Sequence, residues 1–100
     1  MGPMQKTVDR LLTELQADYG EECELIRFSI AERGPYFVVR AGFALRRDHV
    51  WQTSIFTVPP ILMGTEFERA RFIATAFCQL RQQIDRAVES VDAAKLIPYE

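Results

Sequence analysis

Apolar residues recur at spacings of three and four through positions 65–92: Phe67, Ala70, Ile73, Ala74, Phe77, Leu80, Ile84, Val88 and Val91. This is the period of a helix with a buried face. No Gly or Pro interrupts it. Thr65 is a candidate N-cap, and Glu66 and Glu68 sit in the first turn, where the helix dipole favours carboxylates. At ~1.5 Å per residue such a helix runs ~40 Å, longer than the roughly 35 Å diameter of a compact domain of this size. It is therefore expected to overhang its own domain or to pack on a second copy. Its apolar arc spans about 200°, twice what one contact requires, so it is expected to touch two surfaces. Phe72 falls outside that arc, among Gln79, Gln83 and Arg86, so it is either capped by a local loop or exposed as a candidate partner contact.

Upstream, Val8, Leu11, Leu12 and Leu15 predict a short amphipathic helix over 5–19, stopped by Gly20. Positions 23–31 alternate, with Ile26, Phe28 and Ile30 set against Arg27 and Ser29, which is the period of a half-buried strand. Glu32-Arg33-Gly34-Pro35 reads as a turn. Positions 36–45 form the strongest strand, with Phe37, Val39, Ala41, Phe43 and Leu45 on one face and Tyr36, Val38, Arg40, Gly42 and Ala44 on the other. Folding this hairpin about Arg33-Gly34 pairs Ile30 with Phe37, Phe28 with Val39 and Ile26 with Ala41.

A third strand over 50–58 follows the polar connection Arg46-Arg47-Asp48-His49. Two facings are open to it. A two- or four-residue loop pairs Leu45 with Val50 and turns Phe56 and Val58 inward, leaving Trp51 and Ile55 outward; a bulged loop reverses this. Pro59-Pro60 ends the strand. Ile61-Leu62-Met63 is expected to tuck under the long helix, and 93–100 to form a tail pinned by Leu96, Ile97 and Tyr99. Met1-Gly2-Pro3 reads as a remnant ahead of a native start at Met4, so a single domain is placed at 4–100. The expected class is α+β: helix, three-stranded antiparallel meander and long C-terminal helix, with both helices on one sheet face.

That layout leaves the other face to explain. It presents Leu25, Arg27, Tyr36, Val38 and Arg40, with Trp51, Thr53 and Ile55 in the first facing of the third strand. A strip rich in Tyr, Trp and Arg has the composition of interface hot spots. Partner-binding residues are therefore placed at Leu25, Arg27, Tyr36, Val38, Arg40, Trp51, Ile55 and Phe72. The formal charge of −2 over 100 residues hides an uneven distribution. Asp9, Glu14, Asp18, Glu21, Glu22 and Glu24 make the first quarter acidic, whereas five arginines between 25 and 49 meet only Glu32 and Asp48. This polarity suits self-association or an anionic partner.

Catalytic chemistry finds little foothold. A nucleophile needs a base held by a third group, and the one histidine, His49, adjoins Asp48 on extended chain, where neighbours point apart. Glu21, Glu22 and Glu24 read as a solvated run, and the five glycines are scattered singly. Cys23 and Cys78 lack metal-ligand spacing and are expected to be buried free thiols in a reducing compartment, with a single disulfide between them as the alternative. No catalytic, cofactor-binding or metal-ligating residue is assigned, and no small-molecule substrate is evident. No stretch approaches the ~18 apolar residues of a membrane span, so a cytoplasmic protein is expected.

The order helix, three antiparallel strands, helix resembles the double-stranded RNA-binding domain. Glu32-Arg33-Gly34-Pro35 is similar to that family's Gly-Pro loop, and Ala70-Arg71 to part of its second-helix start. The family's Lys-rich cluster is met here by Phe67-Glu68, and its loop histidine is absent. The resemblance implies nucleic-acid binding through Arg33, Arg40, Arg46, Arg47 and Trp51. A looser similarity is to small acidic secretion chaperones, which begin with a helix and three strands and act as homodimers. The residues themselves point first to a non-catalytic protein-binding module, an adaptor, inhibitor or chaperone-like protein forming a homodimer, and second to a nucleic-acid-binding domain.

Overall fold

The computed structural model describes residues 3–33, 36–58 and 64–96, with side-chain surroundings for 4–31, 36–56 and 64–90. The chain runs α1 (Pro3–Tyr19), β1 (Cys23–Arg33), β2 (Tyr36–Leu45), β3 (Trp51–Val58) and α2 (Glu66–Leu96). The strands form one antiparallel sheet in the order β1-β2-β3. Both helices lie on one face of it, α1 over β1 and α2 over β2, and they also touch each other. This is the expected α+β meander, and α2 does meet two surfaces, the sheet and α1.

The inner layer follows from strand parity. Ile26, Phe28 and Ile30 of β1 and Val39, Ala41, Phe43 and Leu45 of β2 turn toward the helices. Val8, Leu15 and Tyr19 of α1 and Ile73, Ala76, Leu80 and Ile84 of α2 close on them. Phe77 of α2 meets Phe28 edge to face, with ring centroids 6.1 Å apart. Spacings of three and four along α2 bring these residues to one side. Thr65 starts the helix as its spacing predicts: the Glu68 amide donates to Thr65 Oγ1 at 3.1 Å, and the Glu68 carboxylate accepts from the Gly64 amide at 3.2 Å.

Several details differ from the sequence reading. β1 pairs with β2 as Ile30 to Val39, Phe28 to Ala41 and Ile26 to Phe43, two residues away from the expected register. The ladder continues to Arg33 opposite Tyr36, so Glu32 and Arg33 add paired backbone where a turn was expected. A shift of two leaves every side chain on its face. Between Cys23 and Leu25 the register slips by one. This bulge returns Cys23 to the interior, opposite Leu45, and turns Glu24 outward.

The facing of β3 is settled by Ala44 opposite Trp51 and Val39 opposite Phe56. Phe56 packs against the core, and Trp51 and Ile55 face away. α1 begins at Pro3, not Gln5, and α2 ends at Leu96, not Asp92, which takes 93–96 out of the expected tail. The apolar arc of α2 is only partly used: Phe67, Ala70, Ala74 and Cys78 are exposed. Cys78 is thus not the buried thiol expected of it, whereas Cys23 is buried, and both are free. Gly34-Pro35, Pro59-Pro60, Ile61-Leu62-Met63 and the end of the tail lie outside the described residues. Among the described residues no helix is long and apolar enough to cross a membrane.

Candidate functional site

The face of the sheet turned away from the helices carries the exposed apolar side chains of the strands. Leu25, Tyr36, Trp51 and Ile55 are all exposed there, and Ile55 is the most open at 63%. Arg27 and Arg40 are exposed beside them. Cross-strand pairing groups these residues. Leu25 and Trp51 flank Ala44, Arg27 and Thr53 flank Gly42, and Ser29 and Ile55 flank Arg40. Tyr36 stands at the other end, opposite Arg33.

Gly42 organises this face. A Cβ there would lie 2.6 Å from Trp51 Cζ2 and 2.7 Å from the Gln52 carbonyl oxygen, so the indole lies across the glycine. The Arg27 guanidinium stacks over the same ring, 5.4 Å from its centroid. Glycine, indole and guanidinium span all three strands. Sequence reasoning named Trp51 and Arg27 but missed Gly42. A lone glycine inside a strand, the usual mark of a close approach by another group, was the available signal.

Two of the predicted partner residues are placed otherwise. Val38 is only 8% exposed: it sits in the central strand between Ala31 and Thr57, and flanking strands shield short side chains in the middle of a sheet. Phe72 is half-buried against the core instead of standing free. The exposed aromatic of α2 is Phe67, 74% open.

The arginines proposed for nucleic acid do not come together. Arg33 ends β1 at one end of the sheet, while Arg46 and Arg47 follow β2 at the other. At ~3.3 Å per residue β2 separates them by roughly 30 Å. Arg46 is committed internally: its Nε and Nη2 donate to the Gly20 carbonyl at 3.2 and 2.9 Å, and its amide donates to the Glu22 carbonyl. The side chain of Arg33 lies outside the described surroundings.

The one histidine has a structural role at this end. His49 adopts a left-handed φ of 57° in the β2–β3 connection, and its Nδ1 lies 2.8 Å from Glu24 Oε2. The Asp48 carboxylate accepts from the Val50 amide at 2.9 Å, so the adjacent Asp and His serve different partners and form no dyad. Burial, reinforced by Glu22, pushes the Cys23 thiol up to about 11, with Arg46 opposing. That sulfur is protonated and unreactive at neutral pH. Tyr19 is pushed up to about 12 by burial and by its hydrogen bond to Asp85, against the nearby Arg81. An open groove of about 430 Å³ separates Asp48 and Gln52 from Gln83 and Arg86. Among the described residues no three His, Cys, Asp or Glu side chains gather to hold a metal ion.

Compared with protein-family models, with curated proteins and with solved structures, the chain matches none.

Proposed function

We propose that the protein is a non-catalytic protein-binding module that works as a homodimer through its sheet and α2. The observation that carries this reading is the exposed row Leu25, Tyr36, Trp51 and Ile55 on the face opposite both helices. In a chain of this size the apolar surface on one layer is needed for the core, so a second apolar strip on the far layer costs solubility unless a partner covers it. Trp51 is already seated on Gly42 and clamped by Arg27. An aromatic held in place before binding loses little side-chain entropy on contact. Arg40, exposed beside Ile55, supplies a donor fork for a partner carboxylate.

A nucleic-acid role has less support. The arginines are divided between the two ends of β2, and Glu66 and Glu68 occupy the first turn of α2, where a phosphate would otherwise be attracted.

Solution mass by light scattering over a wide protein concentration range, at low and high salt, tests the reading. A dimer that persists in high salt is expected, because apolar burial is insensitive to screening. A monomer at every concentration would sink the homodimer. Quenching of Trp51 fluorescence by single- or double-stranded oligonucleotide at low salt, lost at high salt, would favour the nucleic-acid alternative.

A further inference from the structure

The two edges of the sheet are built differently. β1 carries Glu24, Arg27, Glu32 and Arg33, is interrupted by a bulge after Cys23, and has α1 lying over it. Charges, bulges and a covering helix are the devices by which proteins keep an edge strand from pairing. β3 has none of them. Its sequence, WQTSIFTV, holds no charged residue, no Pro and no Gly, and is rich in β-branched and aromatic residues. Its pairing with β2 is regular from Val58 to Trp51. Among the described residues no strand lies on its other side, so alternate N–H and C=O groups along it point outward without a ladder. α2 is seated over β2 and reaches β3 at the inner face, where Ser54 Oγ donates to Gln83 Oε1 at 3.1 Å.

We infer that the β3 edge is where two copies of this chain join, β3 running antiparallel to the partner's β3 so that two three-stranded sheets become one of six strands. The inference rests on the homodimer reading above but sets the contact at the β3 edge, which shields Ile55 and leaves Leu25, Tyr36 and Trp51 on the open face. A second copy is the occupant because an uncharged strand meets its own image without like charges opposed, whereas a charged foreign strand would find no complementary charge along it. Only even registers keep both helical layers on the same side. Centring the two-fold on Ile55 places that residue opposite its own copy, Thr53 opposite the partner's Thr57 and Ser54 opposite the partner's Phe56. Among the described residues the most exposed aliphatic side chain of the sheet is then shielded by its own copy. Helix α2, set back over β2, comes to face its counterpart across the dyad with Gln79, Gln83 and Arg86.

Two probes, each with one exposed cysteine in a Cys78→Ser background that keeps the buried Cys23, test the geometry, with wild-type mass measured alongside. Directly opposed strand residues have Cα atoms ~4.5–5.5 Å apart, inside the range a disulfide bridges. Ile55→Cys is therefore expected to give a disulfide-linked dimer on mild oxidation, and Arg40→Cys, on the central strand, to stay unlinked. Ile55→Lys opposes two ammonium groups and is expected to weaken the dimer by about tenfold or more, with an unchanged far-UV spectrum because the site is exposed in the protomer. A wild-type dimer in which Arg40→Cys links and Ile55→Cys does not would overturn edge pairing in favour of face-to-face packing, and the homodimer reading would stand. A wild-type monomer at all concentrations would overturn both and leave the edge to a strand from another protein.

Discussion

The indole of Trp51 lies across Gly42 of the neighbouring strand, with Cζ2 only 2.6 Å from where the first carbon of any side chain at position 42 would be. An aromatic ring laid over a cross-strand glycine supplies the cover that the missing side chain would have given. Gly42→Ala is expected to expel the ring and press on the Gln52 carbonyl, costing about 1–3 kcal/mol. Trp51 is the single tryptophan, so its fluorescence reports the event directly. Unchanged emission together with unchanged urea midpoint would contradict this account of the face.

Raised pKa values at Tyr19 and Cys23 make the fold sensitive to alkali. Both groups are held protonated by the folded state more firmly than by the unfolded chain: Tyr19 rises from 10.0 to about 12, chiefly through burial, and Cys23 from 9.0 to about 11, also through burial. The sign follows from linkage. The stability they contribute is whole below pH 9 and is lost as the pH climbs through 9 to 12. Urea midpoints followed by circular dichroism are expected to be flat from neutrality to pH 9 and then to fall. Cys23→Ala is expected to delay the onset, and a profile with no alkaline limb would be inconsistent with both shifts.

Leu80 and Phe67 lie on the same helix with opposite surroundings. Leu80 is fully buried and Phe67 is 74% exposed. Leu80→Ala is expected to cost about 2–5 kcal/mol through lost transfer energy and a cavity, and Phe67→Ala to stay within about 0.5 kcal/mol. Equilibrium denaturation of the two variants side by side decides whether α2 is seated on the face described. Similar losses for both would mean a different rotation of the helix.

At the start of α2, Thr65→Ala removes the acceptor for the Glu68 amide and is expected to cost about 1 kcal/mol. Thr65→Asp keeps an acceptor and adds a charge that suits the dipole, so it is expected to match or exceed the wild type in thermal midpoint. A null effect in both variants would remove Thr65 as the cap.

Periodicity made the element order and the facings of α1, β1 and β2 legible, because a strand or helix must repeat at its own period to bury one side. The facing of β3 hung on the length of its loop, and the arc of α2 was drawn too wide. The β1–β2 register was not legible to better than two residues: Ile26, Phe28 and Ile30 occupy the same face in either pairing, and the difference lies in whether Glu32 and Arg33 turn or extend. The bulge that sends Cys23 inward leaves no mark in the alternation on either side of it. Arg27 was recognisable as a surface residue by its charge, and Trp51 only in one of the two facings open to the third strand. Their union over Gly42 depends on a diagonal reach between strands that spacing along one chain does not encode. Val38 was misjudged for a related reason: position on an outward face says nothing of the shade cast by neighbouring strands.

The hydrogen bond from Tyr19 to Asp85 joins residues 66 positions apart, whereas the hairpins of the sheet pair near neighbours in the chain. Contacts that close short loops form before those that close long ones, since the entropy of closure must be met first. The meander is thus positioned to assemble ahead of the clasp between α1 and α2, where Arg81 also reaches Asp18. In kinetic terms Tyr19→Phe should accelerate unfolding while leaving the refolding rate almost untouched, a low φ-value that a chevron measurement can check. If the sheet does form first, β3 is paired on its inner side before α2 is locked over it, and its uncharged outer edge is then at its most open to a second chain.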